Sequence, residues 1–275
     1  MRIDAHHHFW HYVAAEYDWM SDAMSAIQRD FLPEDLQAEL SDVGIDGTVV
    51  VQARQTETET RWLLSLAERY TVIKGVVGWV DLRAPGLRKR LEGYRGETKL
   101  KGFRHVLEGE STPGYMLDPA FVAGLRTLNE LGYSYDILIR SNQLPEAIEL
   151  VQRLPAMRLI VDHLAKPDIQ HRAWDDWCDG LTQLASFANV HCKVSGMVTE
   201  ADWSAWRAED FEPYLEHVFR VFGPQRILFG SDWPVCRLAG QYGAVYRLVQ
   251  DFVRRRYPND EAAVFGDNAA AFYRL

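Results

Sequence analysis

The sequence predicts an α/β protein, a closed (β/α)8 TIM barrel formed by residues 1–275 as one domain. Eight short runs rich in Val and Ile are spread along the chain, and amphipathic helical stretches separate them. The 275 residues match the size of one such barrel. Strand, helix, strand, repeated eight times at a spacing of roughly 25–35 residues, describes a barrel better than an open sheet.

The runs are "RIDAH" (2–6), "TVVVQ" (48–52), "VIKGVVGWV" (72–80) and "LKGFRHV" (100–106), then "SYDILI" (134–139), "RLIVDHL" (158–164), "VHCKVSG" (190–196) and "RILFGSD" (226–232). Several are too short for helices and nearly continuously apolar, as expected of strands covered on both faces. Helical patterns lie between them, including "ETETRWLLSLAERY" (57–70), "DPAFVAGLRTLNELG" (118–132) and "LPEAIELVQRL" (144–154). Asp118 suits an N-cap with Pro119 in the first helical position, and Gly132 suits a helix stop. Two connections are long, residues 9–33 after the first strand and 197–212 after the seventh. Loops after barrel strands lie on the face where barrel enzymes carry their sites, and both of these are rich in aromatic residues.

Composition narrows the function classes. A net charge of −9 argues against a nucleic-acid or anionic-membrane partner, since either needs a basic footprint. The cluster "VRRRY" (253–257) sits late in a helical stretch, where cations complement the helix dipole. Cys178, Cys192 and Cys236 form no CxxC pair, and they read as reduced thiols of a cytoplasmic protein. No apolar run approaches the roughly 18 residues of a membrane span, and "MRIDAHHHFW" carries no signal-peptide core.

Polar residues collect where the predicted strands end. The first strand ends in His6 and His8, the fourth in Arg104 and His105, and the sixth in His163. The seventh runs into Lys193 and Ser195, and the eighth ends in Asp232. Residues i and i+2 of a strand share a face, so His6 and His8 point together while His7 points toward the helix layer. An HxH pair is a plausible divalent-metal pair, weak by itself and stronger when an Asp ends the last strand. Asp4 shares parity with His6, and either a supporting contact or a structural role is compatible with that. Asp232 also suits a helix N-cap. Lys166 is as compatible with a solvated loop as with a site, and Lys193 with charge compensation as with catalysis. His171 and His217 read as surface residues, and Cys192 as a small core residue.

The segments "DAHHHFW", "GFRH", "VDHLAKP", "LFGSDWP" and "FGDNAAAFYRL" together resemble the amidohydrolase superfamily. More narrowly they resemble its lactonase-like branch, which acts on sugar-acid lactones and on pyrone-dicarboxylate lactone. The resemblance implies hydrolysis of an aldonolactone, L-fucono-1,5-lactone being the first candidate. Metal-dependent members add a carboxylated Lys on strand 4 and a His on strand 5. Here strand 4 offers Arg104 and His105, and strand 5 ends "DILIR", so a binuclear centre is not expected. No cofactor is then required, although one divalent ion such as zinc at His6, His8 and Asp232, with or without His163, stays open.

A lactone is an activated ester, so a carboxylate base with cationic donors can suffice. Asp232 is the candidate base, and His6, His8 and His163 would position water and substrate. Arg104, His105 and Lys166 are candidates for binding the oxyanion or hydroxyls, and Trp10, Trp79 and Trp233 for stacking on a sugar ring. Competing readings are a zinc-dependent decarboxylase or hydrolase of a cyclic acid, and a lactone-binding barrel without catalysis. A small-molecule lactone is the expected partner, and a homo-oligomer is compatible with the sequence.

Overall fold

The computed structural model describes residues 1–275. Eight strands form one parallel sheet in sequential order: β1 (Ile3–His7), β2 (Gly47–Val51), β3 (Ile73–Gly78), β4 (Leu100–Val106), β5 (Ser134–Leu138), β6 (Leu159–Val161), β7 (Val190–Val194) and β8 (Ile227–Phe229). The sheet curls into a barrel. Its seam is closed by the segment after β8, where the Asp232 amide donates to the His6 carbonyl (2.8 Å) and the His8 amide to the Trp233 carbonyl (2.7 Å).

The principal helices are α1 (Pro33–Val43), α2 (Glu57–Arg69), α3 (Leu87–Glu92), α4 (Pro119–Glu130), α5 (Leu144–Gln152), α6 (Asp175–Ala185), α7 (Ala208–Phe222), α8 (Tyr242–Arg256) and α9 (Asn268–Tyr273). Asp118 caps α4 by accepting from Ala120 and Phe121. Arg254, Arg255 and Arg256 end α8 and pair with Glu261, Glu212 and Glu216, so this basic cluster is neutralised locally. His217 corrects the surface expectation. It lies buried between the rings of Trp174 and Trp177 because α7 turns that face onto α6. No helix is long and apolar enough to cross a membrane.

Two apolar clusters organise the molecule. The larger lies between strands and helices, and the smaller fills the barrel with Ile3, Ala5, Val49, Val51, Val77, Ile160 and Leu228. Phe272 and Tyr273 of α9 pack into this inner cluster and stopper the mouth at the strand N-termini. The polar end of the lumen is therefore at the strand C-termini, where loops build the site.

One irregularity changes which residues face inward. Between Asp4 and His7, β1 spends one residue more than β2, a bulge in the β1–β2 ladder. Ile3 and Ala5 face the lumen, the bulge resets the parity, and His6 also faces inward. Asp4 therefore points outward, contrary to the alternation expected from sequence. Its carboxylate accepts from the Ser231 amide (2.9 Å), the His6 amide (3.1 Å) and the Tyr242 hydroxyl on α8 (3.0 Å). It ties the β1 end to the loop that carries Asp232.

Candidate active site

The strand ends open into a cavity of about 970 Å³. Its floor holds His8, His163, Asp232 and Arg104, and its walls come from the loops after β1, β2, β4, β5, β6 and β7. His163 and Asp232 do not end strands, as the sequence suggested, but lie on the turns just beyond. β6 stops at Val161, and His163, Leu164, Ala165 and Lys166 all take left-handed φ values between 47° and 58°. Asp232 does the same at 58°. Such non-glycine conformations cost about 1–3 kcal/mol each and persist only where surroundings enforce them. The Trp177 indole N–H donates to the Leu164 carbonyl at 2.7 Å and helps to hold this turn. Two glycines permit the close approach: a Cβ on Gly196 would lie 2.5 Å from His163 Nδ1, and one on Gly230 would lie 2.5 Å from His6 Cβ.

Three imidazole nitrogens converge on one carboxylate oxygen. His8, His6 and His163 place Nε2 at 3.3, 3.8 and 3.9 Å from Asp232 Oδ1. His8 Nδ1 lies 2.8 Å from the Val51 carbonyl, which fixes the ring with Nε2 toward Asp232. His163 Nδ1 is fixed by the Ser195 hydroxyl at 2.8 Å. Burial pushes the His163 imidazole down to about 4 and holds His6 well below the usual histidine range, so both are neutral at pH 7. Burial would raise the Asp232 carboxyl, but His163, His8 and Lys166 outweigh it and hold it below the usual aspartate range. As the sequence implied, His7 faces the other way, buried against Phe9 with neither ring nitrogen hydrogen-bonded.

Beneath the floor lies a buried ionic network. Lys193 Nζ meets Asp136 Oδ2 at 2.5 Å, Asp162 Oδ1 at 3.0 Å and His6 Nδ1 at 3.2 Å. Arg104 Nη1 meets Asp162 Oδ2 at 3.0 Å and His6 Nε2 at 3.2 Å, and its Nη2 donates to the Gln52 carbonyl. Tyr273 of α9 donates to Asp136 (2.8 Å), joining the stopper to the network. Two cations face two carboxylates, so Lys193 compensates charge inside the barrel. Neither Asp136 nor Asp162 stands out in the sequence: Asp136 sits in an otherwise apolar strand run, and Asp162 in "VDHLAKP" adjoins the more conspicuous His163.

The donor set fits one divalent ion. His6, His8 and Asp232 bring three ligand atoms within 4.8 Å of one another, His163 lies beside them, and the far nitrogens of His8 and His163 are held by oxygen partners. The turn after β6 brings His163 beside the other three, as the single-ion alternative read from the sequence requires. A second group, His6, Asp162 and His163, also brings ligand atoms within 4.8 Å of one another, but it shares His6 with the first, and Arg104 and Lys193 pair with its carboxylate.

Of the residues expected to bind substrate, Arg104 and Lys166 line the cavity. His105 does not: it is adjacent to Arg104 on β4 and must face the opposite side. It donates to Glu110 (2.7 Å) and accepts from the Trp79 indole (3.2 Å). Trp10 and Trp233 are fully buried in the core, and Trp79 does not border the cavity either. The aromatic walls are instead Trp19 and Trp203, from the two long loops singled out by their length. Sequence reading also missed Glu108, Arg140 and Glu200, polar residues just beyond β4, β5 and β7.

The sequence profile of the family described as "Amidohydrolase" matches residues 3–275. The chain belongs to this family. A relative named L-fucono-1,5-lactonase from Burkholderia multivorans is 42% identical to this amidohydrolase, covering 100% of this chain and 96% of the relative. Another of the same name from Burkholderia ambifaria is 36% identical, with the same coverage of each chain. Among solved structures, an amidohydrolase from Burkholderia multivorans with bound zinc superposes with a TM-score of 0.97 at 41% identity, covering 100% of this amidohydrolase and 99% of that chain.

Proposed function

We propose that this amidohydrolase opens a sugar-acid lactone to the free aldonic acid, with L-fucono-1,5-lactone as its substrate. The full-length relatives of that name support the reading. The observation that carries it is the charge state of the cavity. Four cations line it, and each already has a carboxylate partner: Arg54 with Glu16 (2.7 Å), Arg104 with Asp162 (3.0 Å), Lys166 with Glu108 (2.8 Å) and Arg140 with Glu108 (3.4 Å). None of the four is an uncompensated charge awaiting a substrate carboxylate. A polar wall with its charges satisfied suits a neutral polyhydroxylated ring, and it gives the newly formed carboxylate no reason to stay.

Asp232 accepts a proton from water as the water oxygen bonds to the lactone carbonyl carbon. The carbonyl electron pair moves onto its oxygen, for which Arg104 is the cationic donor at the floor. Collapse of this adduct breaks the bond to the ring oxygen, which takes the proton back from Asp232. His8 and His163 orient the water at the cavity floor, and His6 beneath them steadies the carboxylate. His6, His8, His163 and Asp232 would hold a divalent ion, which supplies Lewis-acid polarisation and a lowered water pKa when bound. Three unpaired cysteines support a reducing, cytoplasmic setting. One sheet running from Ile3 to Phe229 supports a single domain.

The test is a pH-indicator screen of aldonolactones with and without chelator. Acid release from L-fucono-1,5-lactone is expected, and Asp232→Asn lowers kcat by about 100- to 10,000-fold. No acid from any aldonolactone overturns the proposal.

A further inference from the structure

Four successive loops bring charged groups to one wall of the cavity. Glu108 follows β4, Arg140 follows β5, Lys166 lies in the left-handed turn after β6, and Glu200 follows β7. Lys166 Nζ stands between the two acids, 2.8 Å from Glu108 Oε1 and 3.7 Å from Glu200 Oε1. All three side chains are only 16% exposed. Both carboxylates keep acceptor capacity. Glu108 Oε1 has a second lone pair beside its Lys166 contact, while Oε2 is turned inward with Arg140 3.4 Å away. At 3.7 Å, Lys166 Nζ is beyond hydrogen-bonding reach of Glu200 Oε1. The left-handed turn sets where the Lys166 side chain starts, and the Glu108 contact holds the ammonium.

We propose that Glu108, Lys166 and Glu200 form the hydroxyl-reading array of the site, in which the two carboxylates accept from neighbouring ring hydroxyls while Lys166 donates to their oxygens. A hydroxyl both donates and accepts, so an acid, cation, acid row satisfies a pair of adjacent hydroxyls in one orientation only. An epimer with one hydroxyl reversed leaves a buried carboxylate unpaired, which is the costly error in such a site. The wall thus selects the sugar, while Asp232 and the floor act on the carbonyl that every lactone shares. This assignment rests on the lactone reading above and deepens it.

The test crosses two perturbations: Glu200→Gln or Glu108→Gln in the protein, and loss of hydroxyls in the substrate, from L-fucono-1,5-lactone to δ-valerolactone. Each combination is read as kcat/KM, or as an inhibition constant where turnover is too slow. A charge-assisted hydrogen bond lost from the array lowers the preference for the hydroxylated lactone by about 10- to 100-fold in each variant. Lys166→Met is expected to do the same, with wild-type melting temperature reported beside each variant to separate binding from folding. Variants that depress both lactones equally, with an active wild type, overturn the array and leave the lactonase reading standing. A wild type inactive on every aldonolactone overturns both.

Discussion

Glu59 offers a pH-dependent stability whose size follows from its surroundings. It lies in the first turn of α2, 4% exposed, with Oε2 accepting from the amides of Ala53 (3.0 Å) and Arg54 (2.9 Å). Its Oε1 is buried without a partner. Burial pushes the carboxyl from 4.5 up to about 7, against the two amide bonds that favour the anion. The folded protein therefore keeps a proton that the unfolded chain releases above pH 4.5. The stability linked to that proton is complete below pH 4.5 and is lost as pH rises through 7. A rise of about 2.5 pH units at 1.36 kcal/mol each amounts to roughly 3 kcal/mol. Glu59→Gln removes the titration, and its amide oxygen can accept the same two amide bonds. Urea unfolding should find the variant close to wild type at pH 5 and more stable by up to about 3 kcal/mol at pH 8. Other buried acids, such as Asp4 and Asp136, titrate alike in both proteins and cancel in the difference. A variant that gains nothing between pH 5 and pH 8 refutes the reasoning. Because Glu59 anchors the segment bearing Arg54 and Gln55, both on the cavity wall, lactone turnover can be followed on the same samples.

Further outcomes follow from the same physical picture. Lys193→Met leaves Asp136 and Asp162 facing each other in the barrel and should cost about 3–5 kcal/mol by chemical denaturation, with Asp136→Asn restoring part of the loss. His7→Phe removes two unpaired buried nitrogens and should gain about 1–2 kcal/mol in the same assay with unchanged lactone turnover, in contrast to alanine at His6 or His8. The acid limb of kcat/KM should stay flat down to about pH 5 and fall near 4, where His163 gains its proton while Asp232, held below the usual aspartate range, remains ionised. A limb centred above pH 6 is incompatible with this floor. Isothermal titration with zinc should give one binding event, abolished in His8→Ala, and a second stoichiometric event would contradict the role of Arg104 and Lys193.

Much of the architecture is legible because it depends on local pattern. Short Val- and Ile-rich runs pair as parallel strands whatever lies beyond them, and every predicted run overlaps its strand. The same holds for the Asp118 cap and for the opposed faces of His6 and His7, which follow from one-dimensional periodicity. Strand parity also contained the answer for His105: a neighbour of lumen-facing Arg104 has to face the helices.

Other features needed the folded chain. Asp4 and His6 differ by two positions yet face opposite sides, because a bulge adds one residue to β1 and no sequence pattern marks it. Trp10 and Trp233 look like candidates for stacking on a sugar and are core residues, since burial depends on which loops cover them. Asp136, Asp162, Lys193 and Tyr273 lie far apart in sequence and meet only when the barrel closes over α9.

The sequence by itself determined the barrel, the rim on which chemistry would sit, and the paired direction of His6 and His8. These follow from periodicities of two and 3.6 residues and from the chemistry of single side chains. Tertiary structure decided the rest: the left-handed turn that aims His163 at the floor, the two cations that pair with Asp162, and the acid, cation, acid wall around Lys166. Each of these depends on distances across the lumen between residues from different strands, and such distances exist only once the ring of strands is closed.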